Sequence, residues 1–442
     1  MRDNKRVDFT VTAGLPLRGS LRVPGDKSIS HRALMLGAIA DGTTSIDGFL
    51  ESEDTDATMR ALRMMGVEIT RTDEGTISIE GVGMHGLAEP TEALDLGNSG
   101  TSVRLFAGLL SGQSFNSRLL GDESLMQRPM RRIVDPLQQM GAAIRCSEAG
   151  FLPIDITGNS KLHALTYVMP TASAQLKSAI LLAGLYTEGK TCVIEPAVTR
   201  DHSERMLSQF GCSIEKSDKQ ICLHSQPLCA QKISIPGDIS SAAFFIVAAT
   251  IVPNSNLLLE GVGFNPTRHA VIEILQMMGA DIIVEDEKLI SGEPVANIRV
   301  RHSQLRGIEI PPQLVPIAID EIPVLMIAAA YARGETSLTQ AGELRVKESD
   351  RITAMCEGLM RVGIEVEEQK EGMQVCGGPV SGGRVNSYGD HRIAMAFSVA
   401  ALAASAPITI NDCANVNTSF PGFVGCLASL GLSVSIAEKE HG

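Results

Sequence analysis

The sequence predicts an α/β protein of two similar halves, each assembled from three copies of one repeated unit. Three observations carry this. An amphipathic helical pattern that stops on glycine and runs into an alternating strand occurs six times: MRALRMMGVEIT, VDPLQQMGAAIRC, MLSQFGCSIEK, ILQMMGADIIVED, EGLMRVGIEVEE and CLASLGLSVSI. Each has an apolar helix before it: SHRALMLGAIA, TSVRLFAGLL, QLKSAILLAGL, SAAFFIVAATI, EIPVLMIAAAYA and HRIAMAFSVAALA. Finally, VPGDKSISHRALMLGAI near the start is echoed by IPGDISSAAFFIVAATI near the middle.

The stop glycines are Gly66, Gly141, Gly211, Gly279, Gly363 and Gly431, spaced by 68 to 84 residues. A helix end favours a residue that adopts positive φ without Cβ strain, and the apolar/polar alternation that follows suits a half-buried strand. Units of this length close into compact domains rather than a thin solenoid. The preceding helices are apolar nearly all round, which requires burial on most faces and leaves only their polar starts accessible. The Pro-Gly-Asp echo divides the chain, with crossings near Pro24 and Pro236. The expected domains are 25–237, and a discontinuous one of 1–24 with 238–442 that takes in the first strand.

With 442 residues, 44% of them hydrophobic, the chain can bury more than one core. Its 51 acidic against 38 basic side chains give a formal charge of −13. That balance opposes general attraction to nucleic acid or to an anionic membrane, so any anion site must be concentrated. Nine scattered cysteines, without a CxxC pair, indicate neither a disulfide scaffold nor a zinc module, and a reducing cytoplasm is expected. MRDNKRVDFTV has no signal-peptide core and no apolar run reaches bilayer length, so neither export nor a membrane is expected.

Candidate chemistry lies at the helix starts. In Gly25-Asp26-Lys27-Ser28-Ile29-Ser30-His31-Arg32, a cap near Ser28 would leave backbone N–H groups, Lys27 and Arg32 to hold a phosphate or carboxylate. Leu96 to Arg104 forms a small-residue entrance around Gly100, where a ligand approaches backbone amides unobstructed. Arg128, then Ser173, Gln175 and Lys177, then Arg200, add hydroxyl, amide and cationic groups. In the second half, Asp320 is either a helix cap or a general base, with Glu321 beside it. Lys347 and Arg351 are four apart, as on one helix face, with Glu348 between them, and Arg392 follows Asp390 at the sixth start. Taken singly, each is equally an ordinary cap or a solvated charge. Their recurrence at equivalent starts in an acidic chain points to a small polyanion as ligand.

PGDKSISHR, LGNSGTSVR, QRPM, SAQLKSAILLAGL, the Asp320 helix, RVKESDR, GDHRIAMAF and TSFPGF occur in that order from about Leu17 to Phe423. Together they resemble the EPSP synthase family of enolpyruvyl transferases, in its class II form. The resemblance implies two inverse α/β domains built from six βαβαββ units, with the active site in the interdomain cleft and domain closure on binding. It implies transfer of the enolpyruvyl group of phosphoenolpyruvate to the 5-hydroxyl of shikimate 3-phosphate with release of phosphate, and no metal or organic cofactor. On this chain Lys27, Ser28, Arg32, Ser173, Gln175, Arg200, Asp320 and Lys347 would contact shikimate 3-phosphate. Lys27, Gly100, Arg128, Arg351 and Arg392 would surround phosphoenolpyruvate. Asp320 would take the hydroxyl proton, and Glu348 with Lys27 would serve proton transfer at the methylene carbon.

Two departures limit the transfer of contacts. Thr418-Ser419-Phe420-Pro421 stands where some relatives have a Lys, and Ser173-Ala174 where they have paired serines. Gly100 leaves the space that glyphosate-like inhibitors need. A monomer is expected. The rival readings are a UDP-N-acetylglucosamine enolpyruvyl transferase, opposed by the absence of Cys from Gly121 to Arg128, and a noncatalytic anion-binding repeat protein.

Overall fold

A computed structural model describes residues 6–73, 75–159 and 161–439. They form two compact units. One comprises Gly25–Pro236 with Leu289–Glu293; the other comprises the described residues up to Pro24, Gly237–Lys288, and those from Pro294 onward. Gly237 and Leu289–Glu293 thus lie across the expected boundaries. The latter segment joins the strands Asp281–Ile290 and Glu293–Arg301. It is held by polar contacts that no hydropathy pattern announces, among them Ser291 Oγ accepting the Ser234 N–H at 2.8 Å, Arg205 Nη1 donating to the Gly292 carbonyl at 3.0 Å, and Glu293 Oε1 meeting His202 Nδ1 at 2.8 Å.

Each stop glycine has φ between +79° and +97°, the left-handed region in which a side chain would be strained. The strands after them, Glu68–Arg71, Ala143–Arg145, Ile214–Ser217, Asp281–Ile290, Glu365–Gln369 and Val434–Lys439, are each an outer strand of a different sheet. One pattern repeats: a parallel pair, then two antiparallel neighbours. Lys232–Ser234 runs parallel to Asp41–Asp47, followed by antiparallel Ile77–Val82 and Glu68–Arg71. Gly383–Asn386 runs parallel to Ile408–Asn411, followed by antiparallel Arg6–Val11 and Val434–Lys439. One sheet has three strands, its parallel partner reduced to isolated bridges, Arg306 with Arg333 and Glu309 with Ser337.

The six apolar helices are Lys27–Ala38, Gly100–Leu110, Ala174–Gly184, Ile239–Ile251, Ile322–Ala330 and His391–Ala401. Every residue of Ile239–Ile251, Ile322–Ala330 and His391–Ala401 is buried, and these three pack on one another. In the other unit Gly100–Leu110 packs against both of its counterparts. With every side of a helix covered, the sequence has no polar face to show, hence the unbroken apolar runs.

No helix among the described residues is long and apolar enough to cross a membrane. Against the expectation of no disulfide framework, Cys192 and Cys222 form a disulfide across paired strands Lys190–Ile194 and Gln220–His224, with Cα atoms 4.1 Å apart. Strand register creates that pair, and a separation of 30 residues without a motif could not announce it.

Candidate active site

In the Gly25–Pro236 unit the helix starts gather cations. The cap of Lys27–Ala38 is Asp26, whose Oδ1 accepts the Ile29 N–H at 2.9 Å, so Ser28 lies inside the first turn instead of capping it. Lys27 Nζ is 3.0 Å from Asp54 Oδ2, on the neighbouring helix Glu53–Met64. Arg32 turns inward and is buried. Its Nε donates to Ser203 Oγ at 2.7 Å, Nη2 to Ser178 Oγ at 2.8 Å and Nη1 to the Ser28 carbonyl at 2.9 Å. Burial lowers its pKa to about 10, with Glu204 and Asp26 opposing the shift.

Ser99 caps Gly100–Leu110, and Ser173 caps Ala174–Gly184. The two starts are joined by Arg104, whose Nη1 donates to Gln175 Oε1 at 2.8 Å, while Gln175 Nε2 donates to Thr101 Oγ1 at 3.1 Å. Arg128 Nη2 donates to Asn98 Oδ1 at 2.7 Å. A Cβ on Gly100 would lie 2.7 Å from Arg104 Nη1 and 3.2 Å from Arg128 Nη1, so both guanidinium groups border this one position. Arg200 is half-buried in the loop before helix His202–Gln209. Sequence reasoning missed Arg104 and Asn98 as site residues, although both lie in LGNSGTSVR and Arg104 stands one helical turn from Gly100. Beneath these starts His31 is wholly buried, with Nδ1 2.8 Å from Thr58 Oγ1 and Nε2 3.4 Å from Ser99 Oγ. Burial, then the charges of Lys27 and Arg32, hold it well below the usual histidine range, so it is neutral at pH 7.

In the second unit, Asp320 is not a cap. Glu321 occupies the cap position of Ile322–Ala330 and makes no side-chain cap bond. The Asp320 carboxylate instead faces three cations: Arg351 Nη1 at 3.5 Å, and Lys347 Nζ and Arg392 Nη2 at 3.9 Å each. Arg392 Nη1 also donates to the Asp320 carbonyl at 2.8 Å. Lys347 and Arg351 do not share a helix face, because Asp350 caps a helix that begins at Arg351 and Lys347 precedes it. They meet at Asp320 all the same. Burial pushes the Lys347 ammonium below its ordinary value, while Asp320, Glu343 and Glu348 pull it back. Arg351 is buried, with Nε 2.8 Å from Asp390 Oδ2 and Nη2 2.6 Å from Glu348 Oε2. Glu321 is buried as well: it accepts the Ser240 hydroxyl and lies 3.6 Å from Arg268 and 3.7 Å from Arg392. Thr418, at the position of the missing Lys, is buried and donates to the Asn415 carbonyl.

Residues 11–427 match the sequence family described as EPSP synthase (3-phosphoshikimate 1-carboxyvinyltransferase). The chain belongs to the EPSP synthase family. Among curated EPSP synthase relatives, the 3-phosphoshikimate 1-carboxyvinyltransferase of Alkalilimnicola ehrlichii is 56% identical over 98% of each chain. That of Methylococcus capsulatus is 56% identical over 98% of this chain and 100% of its own. A solved EPSP synthase from Acinetobacter baumannii is 50% identical, covers 98% of this chain and 100% of its own, and superposes with a TM-score of 0.88. An enolpyruvyl transferase from Streptomyces tendae, 17% identical with a TM-score of 0.78, shares the fold. As an EPSP synthase family member the chain is a transferase of the shikimate pathway to aromatic amino acids, with 3-phosphoshikimate 1-carboxyvinyltransferase activity. The EPSP synthase match also decides against the UDP-N-acetylglucosamine rival.

Proposed function

We propose that the two groups of residues serve one addition–elimination reaction between phosphoenolpyruvate and shikimate 3-phosphate. Asp320 takes the 5-hydroxyl proton as that oxygen attacks C2 of phosphoenolpyruvate, and the methylene carbon gains a proton through Glu348 and Lys27. Loss of a proton from the resulting methyl group then expels inorganic phosphate and restores the double bond. Ser28, Arg32, Ser173, Gln175, Arg200 and Lys347, with Lys27, hold shikimate 3-phosphate. Gly100, Arg128, Arg351 and Arg392 hold phosphoenolpyruvate, whose carboxylate and phosphate need fixed positive charge as the adduct forms.

The observation that carries this reading is the position of Asp320, a carboxylate within 3.9 Å of Lys347, Arg351 and Arg392. A base set among cations is placed where anions would dock. The reading includes a cytoplasmic monomer, for which sedimentation should give about 47.0 kDa. The deciding assay is inorganic phosphate release from the two substrates, with UDP-N-acetylglucosamine as parallel acceptor. Release should require shikimate 3-phosphate, and release with the nucleotide sugar alone would overturn the acceptor assignment.

Gly100→Ala tests the phosphoenolpyruvate end. The new methyl group would press on Arg104 and Arg128 at 2.7 and 3.2 Å and displace both guanidinium ends. The Michaelis constant for phosphoenolpyruvate should rise roughly tenfold and inhibition by glyphosate-like compounds should weaken. Unchanged inhibition would remove Gly100 from that site.

A further inference from the structure

Lys177 lies in the first turn of Ala174–Gly184, followed by Ser178 and then only by apolar residues and glycine, and it is completely buried. Its ammonium lies 2.9 Å from Glu195 Oε1 and 2.6 Å from Glu204 Oε1, both carboxylates being buried too, and it donates to the Thr199 carbonyl at 3.4 Å. Glu195 in turn accepts the Thr199 hydroxyl, and its Oε2 receives the Thr199 N–H at 3.5 Å. Burial raises the Glu204 pKa, with Lys177 counteracting it. Three ionisable groups withdrawn from water are costly, and apolar residues at all three positions would fill the space without that cost. Stability therefore does not account for the cluster.

What the cluster does hold is the segment from Glu195 to Glu204, gripped at Thr199 from both its carbonyl and its side chain. Arg200 is the next residue. We infer that Lys177 is a positioning residue for Arg200, acting through Glu195 and Thr199, and that it thereby sets affinity for the phosphorylated acceptor without touching it. This rests on the reading of Arg200 as a shikimate 3-phosphate contact. Long basic side chains lose much rotamer freedom on binding, so a loop fixed beforehand lowers the cost of docking the anion.

Steady-state kinetics on the full chain test this with Lys177→Met, Thr199→Val and Arg200→Gln. Lys177→Met should raise the Michaelis constant for shikimate 3-phosphate on the order of tenfold to a hundredfold. The constant for phosphoenolpyruvate at saturating acceptor should stay within about twofold. Thr199→Val removes only the hydroxyl, and should move the same constant several-fold even if Lys177→Met folds poorly. In the Lys177→Met, Arg200→Gln double variant the rise should not exceed that of Arg200→Gln alone, since both act through one guanidinium. A purely structural lysine would lower the active fraction and move neither ratio. If Arg200→Gln raises the acceptor constant while Thr199→Val leaves it unchanged, or Lys177→Met raises both substrate constants alike, the inference fails and the Arg200 contact stands. If Arg200→Gln changes nothing, the contact fails and the inference with it.

Discussion

Asp320→Asn should lower kcat on the order of 10²–10⁴-fold while the dissociation constants of both substrates change little. Asparagine keeps the size and one acceptor oxygen and loses only the basic one. The bond from Arg392 Nη1 to the residue 320 carbonyl does not depend on the side chain, so that guanidinium keeps one anchor. Removing the carboxylate also frees Lys347, Arg351 and Arg392 from a competing anion, which works against any loss of substrate affinity. Turnover and affinity should therefore part. Stopped-flow measurement of phosphate release in a single turnover separates them, and a variant as fast as the parent would take Asp320 out of the base role.

The same residue shows where the sequence was legible and where it was not. The six glycine stops and six apolar helices were readable because each imposes a local requirement, positive φ or burial all round, that one stretch of chain must meet alone. The Asp320 side chain was ambiguous because capping and catalysis ask for the same residue type at the same helix start. Only the main-chain path, with Glu321 in the cap position, frees its carboxylate for the cations. Arg32 and Arg351 were legible as cations at helix starts, whereas Ser178 and Ser203 around Arg32 and Asp390 beside Arg351 come from positions 39 to 171 residues away. The spacing of Lys347 to Arg351 predicts a shared helix face, yet Lys347 reaches Asp320 from the turn before that helix. The Cys192–Cys222 bond and the Lys177 cluster share that property: both depend on strand and loop register, which no short motif encodes.

Arg351→Met should destabilise its unit by about 3–5 kcal/mol, because the guanidinium is the cation that makes burial of Asp390 tolerable. Burial alone would raise the Asp390 pKa; the charge and hydrogen bonds of Arg351 overcome this and hold it below the ordinary carboxylate range. Asp390 also caps His391–Ala401, its Oδ1 accepting the Arg392 N–H at 2.8 Å, so loss of the ion pair reaches the start that carries Arg392. In the parent, a depressed folded pKa contributes stability above the unfolded value of 3.8 and loses it as pH falls through the folded pKa. In the variant the sign reverses: the unpaired, buried carboxyl would titrate above its unfolded value, and stability would fall as pH rises between the two. The deficit relative to the parent should thus be largest near pH 7 and shrink on acidification. Urea unfolding followed by far-ultraviolet circular dichroism reads it, since the chain has no Trp to report by fluorescence. Adding Asp390→Asn to Arg351→Met should restore part of the loss, because the amide oxygen can still cap the helix without a charge to bury. If the two substitutions simply add, or Arg351→Met costs less than about 1 kcal/mol, the pair is not what holds this start together, and Arg351 would be free to act on phosphoenolpyruvate alone.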